Sequence, residues 1–183
     1  MPSSGHDPGY DGHNPGQDPG DVLAVRAVVN GREVRAEIPP GTLLLDFLRD
    51  HLGLTGAKRS CDLQVCGACT VLVDQAPVSA CCHLAADIDG RSVTTVEGLA
   101  GTSEADRDPV FAALEDRFVR NAAVQCGFCT PGFMVTLHHL IAEGQLTPDL
   151  SEPELRHLLR GNICRCTGYQ PILRSAREAA RDL

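Results

Sequence analysis

The first sustained apolar run in the chain is VLAVRAVV at 22–29, followed by the alternating stretch EVRAEI at 33–38. Such runs, rich in β-branched residues, predict two strands. Between them stands Asn30-Gly31, a two-residue hairpin signal, because a type I′ turn asks for positive φ at both central positions. Pro39, Pro40 and Gly41 end the second strand. At 42–52 the pattern becomes TLLLDFLRDHL, which puts Leu44, Leu45, Phe47 and Leu48 on one side of an amphipathic helix. TVLVD at 70–74 and RSVTTVE at 91–97 read as two more strands. Strands, one helix and a long cysteine-bearing loop predict a small α+β domain over residues 21–97.

After a connector at 98–108 the pattern turns helical, over residues 109–183. PVFAALEDRFVR opens this part. Thr130 is placed to N-cap a second helix, with Pro131 at the first position, where its missing N–H costs nothing. Ser151-Glu152-Pro153-Glu154 fits a capping box for a third helix, and Pro171 opens a fourth. Four helices of this length predict a small antiparallel bundle. At the other end, residues 1–20 repeat GHDPG as GHNPG and then QDPG. This Gly/Pro-rich tail has little to bury and reads as disordered. Its His6 and His13 read as incidental rather than as a metal site.

Composition sharpens the picture. Aromatics make up 4% of the chain and there is no Trp, so core volume must come from Val, Leu, Ile and Ala. A formal net charge of -8 argues against nucleic-acid binding. With no apolar run of membrane-spanning length and no signal-peptide pattern, the expected location is cytoplasmic. There the nine cysteines are poor candidates for disulfides, because that compartment keeps thiols reduced. An odd count also leaves one thiol over, so metal ligation is the leading explanation.

The cysteines fall into two sets. Cys61, Cys66 and Cys69 in KRSCDLQVCGACTVLVD have the spacing C-x4-C-x2-C, with Cys81 or Cys82 further on. That is the plant-type 2Fe–2S arrangement. The loop must aim backbone N–H groups at an anionic cluster, and Gly67 and Ala68 let the backbone come close. A zinc site with four cysteine ligands competes with this reading. The second set is Cys126-Gly127-Phe128-Cys129 with Cys164-Arg165-Cys166, again four thiols, and by itself it fits zinc or iron–sulfur equally. Two separate quartets in one chain read together as an electron relay.

Four strings carry a resemblance: KRSCDLQVCGACTVLVD, VTTVEGLA at 93–100, VQCGFCTPGF at 124–133 and GNICRCTGYQPI at 161–172. Through them the chain resembles the small iron–sulfur subunit of the molybdenum hydroxylases, the family of xanthine oxidase and aerobic carbon monoxide dehydrogenase. The resemblance implies a ferredoxin-like β-grasp domain followed by a four-helix bundle, each holding a 2Fe–2S cluster. It favours Cys81 over Cys82 as the fourth ligand of the first cluster. It also implies that Gln125 and Cys166 lie against a pterin. The implied partners are a large molybdopterin subunit and a medium FAD subunit, in a dimer of heterotrimers. The resemblance also implies the route: electrons are expected to leave molybdenum, pass the bundle cluster and then the ferredoxin-like one, and reach FAD. No substrate-converting site is then expected on this chain.

Two departures stand out. Many members of the family carry glycine in C-x-x-G-x-C and just before it, where this chain has Gln64 and Ser60. Asp62 adds an acid beside the first cluster. His138 and His139 read as ordinary helix residues, since neighbours on a helix point about 100° apart and share one ligand poorly. His83 is expected to be exposed, and Arg165 to face away from the flanking thiols towards a partner. A free-standing two-cluster ferredoxin or redox sensor is the alternative function, and a zinc-stapled module a third. An acid beside an anionic cluster opposes the added electron. Asp62→Asn is therefore expected to raise the first cluster's midpoint potential, read by redox titration of its EPR signal.

Overall fold

The computed structural model describes residues 21–183, so the tail at 1–20, with His6 and His13, lies outside it. Strands β1 (Leu23–Val29) and β2 (Arg32–Ile38) form the expected antiparallel hairpin. Its turn has positive φ at both Asn30 (50°) and Gly31 (75°). Strand β3 (Thr70–Val73) pairs antiparallel with β4 (Ala76–Ser79), and β5 (Ser92–Thr94) joins the two hairpins. The sheet order is β2-β1-β5-β3-β4, with β1 and β5 parallel and every other pair antiparallel.

Helix α1 covers this sheet. It is α-helical over Leu44–Asp46 and π-helical over Phe47–His51. Its four expected core residues Leu44, Leu45, Phe47 and Leu48 are fully buried. They meet Val25, Ala27 and Val29 of β1, whose alternate positions are exposed.

Strand β3 departs from simple alternation: Val71, Leu72 and Val73 are all buried. A period of two sends Leu72 to the opposite face from its neighbours. Val71 and Val73 pack into the core under α1, whereas Leu72 belongs to a second core built by the helices. One strand is thus buried on both faces and shared by two cores, which explains its unbroken apolar run.

The helical half comprises α2 (Val96–Ala100), α3 (Pro109–Arg120), α4 (Thr130–Ala142), α5 (Glu152–Leu158) and α6 (Gln170–Asp182). α4 lies between β3 and the other helices, and Phe133, Met134, Val135, Leu137 and Leu140 along it are all buried. A helix this apolar around its circumference belongs in the interior. α3 turns Phe111, Leu114 and Phe118 inward, at the spacing of one helical face. α6 meets α3 through small residues, Ser175, Ala176 and Ala179, which allow close approach. Ser175 is fully buried and donates to the Pro171 carbonyl at 2.8 Å. The capping box of α5 is present, joining Ser151 and Glu154.

Three local expectations need correction. The strand expected at 91–97 is only β5, and α2 begins at Val96. Buried Thr95 ends it: its N–H donates to Asn30 Oδ1 at 2.9 Å, and Asn30 Nδ2 donates to Thr95 Oγ1 at 3.0 Å. Strand β4 was not expected, because Asp74 and Gln75 turn the chain at positive φ without a glycine. Pro77 is tolerated there because β4 is a sheet edge. Finally, Thr130 is the first residue of α4 rather than its N-cap; Cys129 takes that place in helical geometry, φ -81° and ψ -15°.

The two halves meet at glycine. A Cβ on Gly132, in the first turn of α4, would collide with the Gly67 carbonyl. The obstacle is backbone and cannot move aside as a flexible side chain would. Gly132→Ala is expected to cost about 1–3 kcal/mol by overpacking, net of the slight gain alanine brings to a helix. Chemical denaturation of the purified chain measures it.

Candidate metal centres

The first thiol group is built on the β3–β4 hairpin and the loop before it. Register puts Thr70 opposite Ser79, and the Ala80 N–H donates to the Cys69 carbonyl at 3.3 Å. Cys69 and Cys81 therefore meet at one end of the hairpin, both buried. Burial pushes the Cys69 thiol up to about 12, and the neighbouring Cys81 thiol adds to the rise. Cys61 and Cys66 come from the loop and are half-buried.

Asp62 and Gln64 hold positive φ, 50° and 57°, which turns successive amides inward as an anion-binding nest. Cys61 Sγ accepts from the N–H of Leu63 at 3.5 Å and of Cys66 at 3.4 Å. The amides of Leu63, Val65 and Cys66 pull its thiol down to about 6. Gln64 thus keeps the backbone that glycine would take without strain, at a cost of about 1–2 kcal/mol. Asp62 is paired with Arg59 at 3.0 Å, and Arg59 also holds Asp46. The charge that opposes reduction is partly offset, so the rise expected for Asp62→Asn is small.

The second group lies in two loops. Cys126 and Cys129 precede α4, and Cys164 and Cys166 lie between α5 and α6. Cys129 sits at the positive end of the α4 dipole, a favourable place for negative sulfur. In the metal-free chain burial pushes its thiol up to about 12, with the adjacent Cys164 contributing. Burial also acts on Cys164, but hydrogen bonds from Thr167 and the Cys166 amide outweigh it, and its net shift is downward.

Tyr169 locks this loop. Its hydroxyl accepts from the Cys164 N–H at 3.0 Å and donates to the Asn162 carbonyl at 3.3 Å. Its φ of 69° is left-handed, and its ring meets Phe133 edge-on at 6.2 Å. Thr167 Oγ1 accepts from the Tyr169 N–H, which leaves its own proton for Cys164 Sγ at 3.2 Å.

Spacing tests whether a metal fits. Sulfurs about 2.3 Å from a tetrahedral metal lie about 3.7 Å apart. Cys126 Sγ and Cys166 Sγ are 3.6 Å apart. Thiol neighbours are Cys61 with Cys66, Cys69 with Cys81, Cys126 with Cys166 and Cys129 with Cys164, and Cys81 also has Cys82 beside it at 3.7 Å. Among the described residues no three His, Cys, Asp or Glu side chains converge to hold one metal ion. The two groups also touch. The Ile163 N–H donates to the Cys66 carbonyl at 2.9 Å, one residue from Cys164.

Comparison with known proteins covers both thiol groups. A family described as a 2Fe-2S iron-sulfur cluster binding domain matches residues 27–99, and one described as a [2Fe-2S] binding domain matches 95–177. Caffeine dehydrogenase subunit gamma of a Pseudomonas strain is 40% identical over 85% of this chain and 90% of its own length. The xanthine dehydrogenase iron-sulfur-binding subunit of Escherichia coli O157:H7 is 37% identical over 84% and 91%.

The chain belongs to the small iron–sulfur subunits of the molybdenum hydroxylases.

Quinoline 2-oxidoreductase of Pseudomonas putida 86 has a chain that aligns with this small subunit at TM-score 0.75 and 40% identity, over 88% of this chain and 97% of that one. The role of the small subunit is electron transfer within an oxidoreductase.

Two histidines of the small subunit differ from the sequence reading. His138 is buried, with Nε2 3.1 Å from Asp108 Oδ1, so it ties α4 to the N-cap of α3. His83 is half-buried, not exposed, with Nε2 shielded from solvent. Arg165 and Gln125 are exposed, the latter beside Cys126. Thr167, Tyr169, Asn162 and Gly132 stand inside the quoted strings, yet spacing does not reveal their roles: Thr167 and Tyr169 tie the Cys164 loop to itself, and Asn162 and Gly132 lie against Gly67. No helix among the described residues is long and apolar enough to cross a membrane.

Thiol acidity gives a direct test on the metal-free chain. A thiol lowered to about 6 is mostly thiolate above that pH and loses its reactivity below it. Cys61 is expected to alkylate first, with half-maximal labelling near pH 6 by mass spectrometry. Cys69 and Cys129, held near 12, should stay unlabelled at pH 8.

Proposed function

We propose that this small subunit holds one 2Fe–2S cluster on Cys61, Cys66, Cys69 and Cys81 and a second on Cys126, Cys129, Cys164 and Cys166. The observation that carries the reading is the arrangement of eight thiols as four pairs, with the Cys126–Cys166 pair at the separation of two thiolates on one tetrahedral metal. Each bound cluster would supply a one-electron relay. The chain's own contribution is the cradle. Amides of Leu63 and Cys66 face Cys61, the Thr167 hydroxyl faces Cys164, and the α4 N-terminus lies at Cys129. Hydrogen bonds to sulfur stabilise added negative charge and so raise a cluster's potential. The Cys66–Ile163 hydrogen bond gives electrons a short connection between the two halves.

In this reading residues 21–97 form the ferredoxin-like β-grasp domain, 98–108 a connector and 109–183 the four-helix bundle, with 1–20 a tail outside them, and α2 (Val96–Ala100) straddles the first boundary and packs Leu99 into the helical core. The partners are a large molybdopterin subunit and a medium FAD subunit, in a dimer of heterotrimers. Val124, Phe128 and Ile163 are exposed apolar residues around the second thiol group, where Gln125 and Cys166 would meet the pterin. Leu63 and Val65 are exposed beside the first, which would face the FAD subunit. Such patches beside candidate redox centres support burial by partner subunits. Substrate is then converted on the large subunit.

Purification of the tagged chain from its own host is the test. Iron, sulfide, molybdenum and FAD should co-elute, and Cys164→Ala should lose half the iron and one of two EPR signals. An iron protein that runs alone, a zinc protein without iron, or a Cys164→Ala variant with full iron would overturn the reading.

A further inference from the structure

Cys82 is the ninth cysteine and stands outside both quartets. It follows Cys81 in the single turn Ala80–Cys82, a 3-10 helix. Successive side chains in such a turn point about 120° apart, so two adjacent thiols ordinarily diverge. Here they do not: Cys81 Sγ and Cys82 Sγ are 3.7 Å apart. That is about the span of two thiolates on one tetrahedral metal, and close to the 3.6 Å between Cys126 and Cys166. Cys82 also faces the first thiol loop, with Sγ 3.8 Å from the Asp62 carbonyl, between Cys61 and Cys66. Cys81 is 4% exposed, whereas Cys82 is open to solvent. His83 beyond them is extended, so the turn is short and ends at once.

From this we infer that Cys82 is a reserve ligand of the first cluster, able to take the iron position of Cys81 when Cys81 is lost or released. The inference rests on the cluster reading above. The exchange balances without an oxidant. The iron–sulfur bond to Cys81 breaks and that thiolate takes up a proton; the Cys82 thiol gives up a proton and forms the new bond. Iron keeps its oxidation state. The exchange is confined to the side chains of Cys81 and Cys82, while the Ala80 N–H keeps its bond to the Cys69 carbonyl at 3.3 Å. The consequence is a cluster that survives damage at its fourth ligand.

Three variants of the full chain, purified with their clusters, test it: Cys81→Ala, Cys82→Ala and the double variant. Alanine is chosen because serine could itself ligate iron. Cys82→Ala and Cys81→Ala should each keep full iron and sulfide, the latter with a shifted EPR signal. The double variant should lose half. If Cys81→Ala loses half its iron while wild type keeps both clusters, the reserve role fails and the cluster reading stands. If wild type itself holds no iron or sulfide, the cluster reading fails first. Alkylation followed by mass spectrometry gives a second measurement. In folded wild type Cys82 should be labelled readily, and in Cys81→Ala it should be protected at least tenfold. A Cys82 equally reactive in both would overturn the inference.

Discussion

Two backbone segments touch at Gly67 and Gly132, with no side chain between them, and the rest of the molecule is arranged around that contact. Gly67 belongs to the loop with the first thiols, and its φ of 67° already favours glycine. A Cβ there would strike the Gly161 carbonyl and the Asn162 side chain. Gly132 opens the helix that follows Cys129. The same glycines that let the backbone curl around sulfur also let the two halves come within one hydrogen bond, Ile163 to Cys66. A single side chain at either position would push the thiol groups apart.

Burial supplies the second constraint. A thiol taken out of water resists ionisation, and the rises at Cys69 and Cys129 express that cost in the metal-free chain. A bound metal reverses the balance, because a coordinating thiol is deprotonated outright. In the proposed ligand set the donors already stand where negative charge would sit: loop amides at Cys61, the Thr167 hydroxyl at Cys164 and a helix N-terminus at Cys129. Function and fold are coupled here, since the same loops close the sheet core on one side and the helical core on the other.

Cysteine spacing, the Asn30-Gly31 turn, the amphipathic stretch from Leu44 to Leu48 and the capping box at Ser151 were legible because each is decided within a few residues. Other features were not. Strand β4 was hidden by a turn without glycine and by a proline that only an edge strand accepts. The strand before α2 was read too long because what stops it is Asn30, far away in sequence. His138 read as an ordinary helix residue because its partner, Asp108, lies on another element.

The sequence alone therefore determined the chemistry on offer: which thiols exist, in what local groups, and on which kinds of element. Local backbone preference and the two periodicities suffice for that. Only the tertiary structure decided which thiols face each other, that Leu72 of β3 serves a second core, and that Cys66 and Cys164 are joined through Ile163. These depend on packing between segments distant in the chain, where hard-core contact of backbone with backbone sets the distance.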